Sequence, residues 1–439
     1  MPAPSALPAD RSTDVLVVGA GLAGLPVALE LARRGASVRV VDPAAPGSGT
    51  SRVAAGMLAP VTEAEPDDPA HLLVGRAGLD RWPAFAATLA AASGVDVPLH
   101  AAGTLALARD RDEAEALTRF SEVCGRFGLP VERLLPSAAR RLEPALAPTL
   151  RGALSVPGDL AVDPRRVVAA LVAGLPEHGV EVTAVAVERV LLEDVAGGGS
   201  RATGALLADA GVLRAGAVVL ATGARPVGGL PDGARVPVRP VKGQLLVLRD
   251  PSGPGLVERV LRFGHGYLVP RDDGRYVLGA TTEERGFDVA TTAWALHELL
   301  RDGFELVPGL LDLEVEETLA GLRPTTPDAL PVIGPAAGVD GLWWATGHHR
   351  NGVLLAPLTG VLLADALTGT PRTPADERVA SLVDPRRFAV ADPGGRPADG
   401  PHPPASPPSG EVLAAAPVAG VPAIAPAPPH PPVPEDARA

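Results

Sequence analysis

Residues 18–25 read VGAGLAGL. The glycines at 19, 21 and 24 stand between an apolar run at 14–18 (DVLVV) and a stretch with helical apolar spacing at 22–33. Together these predict a buried strand, a tight turn and a helix. A further run at 37–41 (SVRVV) predicts a second strand, ending at Asp42. In that order each glycine has a task. Gly19 permits the turn, Gly21 lets the backbone approach a pyrophosphate, and Gly24 lets helix and strand pack closely. Leu22 and Ala23 fall at the helix start, where free N–H groups and the helix dipole favour an anion. Asp42 would accept hydrogen bonds from ribose hydroxyls. Pro26 does little harm, because the N–H it removes lies near the unpaired end. The pattern points to an adenine dinucleotide; the competing reading is a glycine-rich turn with no ligand.

Residues 47–60 (GSGTSRVAAGMLAP) are small and polar, then small and apolar. Such a loop can thread beside a second phosphate and then run along a flat ring, which fits the reach of FAD better than that of NAD. Thr50, Ser51, Ala55, Gly56 and Met57 are its candidate contacts, although a lone methionine also serves as core filling. Ala221-Thr222-Gly223 ends a hairpin and buried strand expected over 206–221, matching the adenine-side strand common in FAD proteins. Thr222, Gly223 and Val185, the last in a strand expected over 180–190, join the candidate cofactor contacts.

The rest of the chain sets limits. Its 439 residues suffice for one large two-part unit or two domains with a real core. A net charge of -12 argues against nucleic acid or an anionic membrane as main partner. A single cysteine, Cys124, excludes a disulfide framework and reads as a small buried hydrophobe. No cluster of acids or histidines has metal spacing, so no metal is expected. Lys242 is the only lysine, which reads as codon bias rather than mechanism. The first ten residues lack the parts of a signal peptide, and no apolar run is long enough to span a bilayer; a cytoplasmic protein is expected. Residues 1–12 are expected as a flexible leader. Residues 391–439, about a third Pro, are expected as a disordered tail, with a polyproline ligand as the functional alternative. Between them, helices are expected over 164–178, 292–307 and 353–367, and an antiparallel sheet over 236–279.

Residues 345–357 read ATGHHRNGVLLAP. With VGAGLAGL, Asp42, TSRVAAGMLAP, RPVKGQLL, GYLVPRDDGRYVLGAT and GLRPTTPDALPVIGP, this block resembles the FAD-dependent D-amino acid oxidase superfamily, most closely its glycine oxidases of thiamine biosynthesis. The likeness runs in order from about residue 13 to 370. It implies an α/β fold with a Rossmann-like FAD-binding domain assembled from 13–60, 140–225 and 320–370. A smaller antiparallel-sheet substrate domain would take 61–139 and 226–319, and a C-terminal extension 371–390. Some sarcosine oxidases of the superfamily bond the flavin through a cysteine two residues before the position of Arg323. Gly321 stands there, so non-covalent FAD is expected.

The resemblance also implies a substrate site. Arg323, in GLRP, stands where the carboxylate-binding arginine is found, and a planar guanidinium fork suits both carboxylate oxygens. Tyr267 would add a hydroxyl to the same carboxylate, and Arg350 would be a second active-site arginine. Plainer readings are a surface ion pair for Arg323, a core ring for Tyr267 and a loop cap for Arg350. Gly347, His348, His349, Asn351, Gly352, Val353 and Leu354 would wrap the flavin's pyrimidine end. N–H groups at the start of the helix expected over 353–367 would face the flavin N1/C2 carbonyl, where negative charge develops. Neither histidine is expected to be a general base.

The implied reaction is oxidative deamination of glycine or a small amine such as sarcosine or D-alanine. Hydride passes to flavin N5 without a side-chain base. The imine hydrolyses to glyoxylate and ammonia, and molecular oxygen reoxidises the flavin to give hydrogen peroxide. A hand-off of the imine to a thiazole synthase is implied as well. The oligomeric state stays open, a homo-oligomer included. Two alternatives remain: a D-amino acid dehydrogenase using an acceptor other than oxygen, and a scaffold that recruits partners through its Pro-rich tail.

Overall fold

The computed structural model describes residues 12–63, 69–196, 198–264 and 266–389. The expected leader, apart from Ser12, and the whole expected tail lie outside the described residues. The strand Thr13–Val18 runs parallel to Val38–Asp42 on one side and to Val212–Leu220 on the other. Outward from these, Glu181–Ala184 pairs with Val38–Asp42 and Leu342–Thr346 with Val212–Leu220, both parallel. Val332–Pro335 closes that edge antiparallel. The inner strands are apolar runs of Val, Leu and Ala because helices cover the sheet. Helices Gly24–Arg33 and Ala356–Thr368 share one core cluster there, through Leu25, Leu29, Leu358 and Leu362.

A second, eight-stranded sheet carries Glu314–Thr325, Arg239–Arg249, Arg275–Gly279, Gly266–Pro270, Val260–Phe263, Thr104–Ala108, Gly152–Val156 and Glu132–Leu134, in that order. All its neighbours are antiparallel except Val260–Phe263 against Thr104–Ala108. Helix Ala293–Leu306, capped by the Thr292 hydroxyl, lays Leu299 and Leu306 on the Leu246, Leu248 and Leu278 side of this sheet. Thr50 Oγ1 donates to Leu322 O at 2.7 Å and ties the loop after Asp42 to the second sheet. Among the described residues no helix is long and apolar enough to cross a membrane.

Two elements differ from expectation. The strand expected over 180–190 is two strands, Glu181–Ala184 and Val187–Asp194, the latter in an antiparallel ladder with Ser200–Leu207. The break falls at Val185, whose N–H bonds to Thr183 O; alternating apolar residues on both sides hide it from a periodicity reading. The helix expected over 353–367 is Ala356–Thr368. Residues 351–355 form a turn first, with Asn351 N–H bonded to His348 O and Leu355 N–H to Asn351 O.

The glycine turn shows how tightly the first sheet is built. Gly19 has φ +113°, and a Cβ there would lie 2.4 Å from Ala221 O. A Cβ on Gly24 would lie 2.0 Å from Gly19 O. Backbone cannot yield as a side-chain tip can. Gly24→Ala is therefore expected to lower the unfolding free energy in urea by about 3 kcal/mol or more. Gly233→Ala, where nothing lies within 4 Å of the new methyl, should stay within about 0.5 kcal/mol of the parent.

Candidate active site

The turn after Thr13–Val18 is held from outside. Asp42 Oδ2 accepts the Ala20 N–H at 2.8 Å, and its Oδ1 accepts Ala44 N–H at 2.9 Å. Ser51 Oγ accepts Leu22 N–H at 3.0 Å and gives its own proton to no described residue. The N–H groups of Gly21 and Ala23 find no acceptor among the described residues. A Cβ on Gly21 would meet only Ser51 Oγ, at 3.2 Å, so the space above this turn is open. Two unpaired N–H groups, a free hydroxyl proton and a helix start make a cradle for phosphate. Thr222 Oγ1 turns to Arg225 O, and Gly223 O accepts from Thr346 Oγ1 at 2.8 Å. Val185 sits one residue beyond the Asp42–Ala184 pairing, half-buried against the second core cluster.

The second sheet presents a polar cluster. Arg323, near the end of Glu314–Thr325, donates Nη1 to Thr281 O at 3.0 Å and to Lys242 O at 3.4 Å. It makes no ion pair among the described residues, and burial pushes its pKa down. The Tyr267 hydroxyl faces that guanidinium, and burial raises the phenol's pKa, so it stays a donor. Two glycines make room for this pair: a Cβ on Gly243 would lie 2.4 Å from the Arg323 nitrogens, and one on Gly279 would lie 2.7 Å from Tyr267 Oη. Met57 and Tyr267 flank one small apolar cluster with Ala55 and Leu245. Gly56, at φ +82°, passes under Val162 O, which a Cβ would meet at 1.9 Å.

Arg350 reaches the same cluster from the late block. Its Nη2 lies 3.4 Å from Thr282 Oγ1 and its Nη1 3.8 Å from Glu63 Oε2. Glu63 also pairs with Arg262 Nε at 2.9 Å, without the alignment of a hydrogen bond. His348 is buried, and its Nε2 lies 2.9 Å from Thr359 Oγ1. That hydroxyl gives its proton to Leu355 O, so Nε2–H is the donor. Burial pushes the His348 pKa down to about 4. Burial, with Arg350 and Arg323 adding to it, pushes His349 down to about 3. Both rings are neutral near pH 7, which removes them as proton acceptors of ordinary strength. Gly347 has φ +75° and lies against Thr326 and Val332. The N–H groups of Gly352, Val353 and Leu354, in the turn ahead of helix Ala356–Thr368, have no acceptor among the described residues.

The pattern of the family described as DAO, FAD dependent oxidoreductase, matches residues 14–366. The chain belongs to this FAD-dependent oxidoreductase family. It is an FAD enzyme of the amino-acid-oxidase type. It is similar to a glycine oxidase of Geobacillus kaustophilus, 36% identical over 357 residues, covering 80% of this chain and 92% of that protein. The crystal structure of glycine oxidase from the same organism superposes with a TM-score of 0.76 at 32% identity, over 83% of this chain and 96% of that one. A bifunctional protein ThiO/ThiG of Trichormus variabilis is 34% identical over 355 residues, 80% of this chain but 52% of that protein.

FAD suits the residues present. Gly21, Ala23 and Ser51 would take its phosphates, and the turn at 352–354 would offer N–H groups to an electron-rich ring edge. Thr50 spends its hydroxyl proton on Leu322 O, so its oxygen can only accept from the cofactor and its backbone is what remains to donate. The structure brings Arg323, Tyr267 and Arg350 into one cluster and adds Glu63, Arg262, Gly243, Gly279 and Lys242, which sequence reasoning missed. Lys242 is fully buried, with Nζ 2.7 Å from Asp288 Oδ2 and 2.6 Å from Ala290 O. It pins the segment that begins at Thr281, whose carbonyl supports Arg323, so it has a structural task that composition concealed. Its place in RPVKGQLL was the available signal.

Two outcomes follow from this geometry. Gly243→Ala should push the Arg323 guanidinium aside, raising KM for the substrate about tenfold or more while Tm, read by calorimetry, changes little. The unfolded histidines titrate near 6.5, well above the folded pair, so the unfolded chain binds more protons between about pH 4 and 6.5. Stability should therefore fall as pH drops through that window, and His348→Gln should flatten the dependence of Tm on pH.

Proposed function

We propose that the chain oxidises glycine, or a comparably small amine, to its imine. The observation that carries this is Arg323: a water-poor guanidinium beside a phenol donor, with no protein carboxylate to pair with. A small amino acid supplies the missing anion. Arg323 would meet both carboxylate oxygens, and the Tyr267 hydroxyl would donate to one of them. These contacts fix the α-carbon; the bound zwitterion gives one ammonium proton to water before the α-C–H bond breaks, since both neutral histidines are weak bases. Bound FAD supplies the acceptor for the two electrons of the α-C–H bond, and oxygen takes them on as hydrogen peroxide. Water adds to the released imine, giving glyoxylate and ammonia. Gly321, whose Cβ would meet Val53 at 3.0 Å, offers no sulfur to bond the cofactor, which supports non-covalent binding.

The two-part division into FAD-binding and substrate domains is part of the same reading. Gly152–Val156, inside the 140–225 segment, pairs within the eight-stranded sheet. The ThiO/ThiG relative is consistent with an imine handed to a thiazole synthase.

Arg323→Ala should lower kcat/KM for glycine about 30- to 1000-fold, the loss of a charge-assisted bidentate contact of about 2–4 kcal/mol. Peroxide release measured against glycine, sarcosine and D-alanine checks this. Normal efficiency in the variant would remove the carboxylate anchor from the reading.

A further inference from the structure

Glu63 is the one acid paired with the pocket's guanidiniums among the described residues, and its anchor lies outside the pocket. Its carboxylate stands 2.9 Å from Arg262 and 3.8 Å from Arg350, and its charge reaches both Tyr267 and Arg323. The preceding residue, Thr62, donates its hydroxyl to Asp159 Oδ2 at 2.6 Å. Asp159 is wholly buried in the turn after Gly152–Val156. The N–H groups of Val61 and Thr62 and the Thr104 hydroxyl also face it and favour its charged form. Its Oδ1 and the Thr104 oxygen nevertheless make no aligned hydrogen bond. The titratable group that faces it is the Cys124 thiol of helix Arg111–Arg126.

We propose that Glu63 is the negative pole by which the pocket selects ammonium carboxylates over plain carboxylates, and that Asp159 is the positioning residue that holds it there through Thr62. This rests on the glycine-oxidising reading. A zwitterion held at its acid end by Arg323 and Tyr267 carries its cationic end a few bonds away, and Glu63 is the acid that answers it. Charged Asp159 accepts the Thr62 hydroxyl and faces the N–H groups of that turn, which favour its charge. Protonated, it has fewer lone pairs to offer and a proton of its own to place, so the turn loosens and Glu63 leaves its arginines. Burial pushes the Asp159 pKa up to about 7, while Thr62 pulls it down. The change therefore falls in a window where glycine's carboxylate and amine, and acetate's carboxylate, do not titrate.

The test compares flavin-loaded wild type, Asp159→Asn, Thr62→Ala and Glu63→Gln. Glycine affinity comes from anaerobic bleaching and acetate affinity from the perturbed flavin spectrum, each from pH 6 to 8. In wild type, glycine Kd should rise about tenfold from pH 8 to 6 as Asp159 takes up its proton, while acetate Kd should not rise. Asp159→Asn should flatten the glycine curve. Thr62→Ala should move its midpoint upward, which keeps the idea testable if the Asn variant does not fold. Glu63→Gln should weaken glycine at least tenfold and leave acetate as tight or tighter. Equal pH slopes in wild type and Asp159→Asn, an unmoved midpoint in Thr62→Ala, or equal effects of Glu63→Gln on glycine and acetate would overturn the proposal. If no amine bleaches the flavin at all, the failure belongs to the glycine reading instead.

Discussion

A largely buried guanidinium that no protein carboxylate pairs with, among the described residues, is the constraint around which the catalytic half is arranged. Taking a cation into a low-dielectric setting costs several kcal/mol unless dipoles or an anion replace its hydration. The chain supplies dipoles and leaves the anion to a ligand. Two carbonyls, of Thr281 and Lys242, accept from Arg323, and a phenol held in its neutral form stands opposite. All of these depend on strand register. Val241 lies directly across from Arg323, and Tyr267 directly across from Gly279. A slip of one residue would turn each side chain to the other face.

The first sheet contributes differently. Its floor consists of mostly apolar parallel strands, so the cofactor end is built from backbone N–H groups at a turn and from two side chains that brace it, Asp42 at a strand end and Ser51. The two halves meet where small residues let them. Thr50 bonds to Leu322, and Gly321 lies against Val53. A loop of Gly, Ser, Thr and Ala is what such a junction requires, since larger side chains would hold the strands off the cofactor.

Much of this was legible in the chain because local physics dictates it. VGAGLAGL, a strand before it and an acid after it can be read without tertiary information, and the structure bears out the α/β fold. Arg323, Tyr267 and Arg350 were found through ordered blocks of resemblance, and they do converge. What escaped notice depends on distant pairings. Glu63 and Arg262 meet across about two hundred residues, and Asp159 touches Thr62 from a turn that carries no motif. Gly243 and Gly279 looked like strand glycines because what they make room for comes from other strands. The late helix was placed three residues early, since a turn with apolar residues has the same look as a first helical turn. The break at Val185 was hidden for a related reason: two short strands with matching alternation read as one.

Lys242 carries the only ε-ammonium in the sequence, and it is sealed beneath the segment it anchors. Every other basic side chain, histidine aside, is a guanidinium. Acylating reagents, aldehydes and enzymes that tag lysine would therefore find their single side-chain target shielded while the fold holds. Its modification would instead report that the segment beginning at Thr281 has come away, so a reagent meant to decorate the surface would serve as a gauge of local opening.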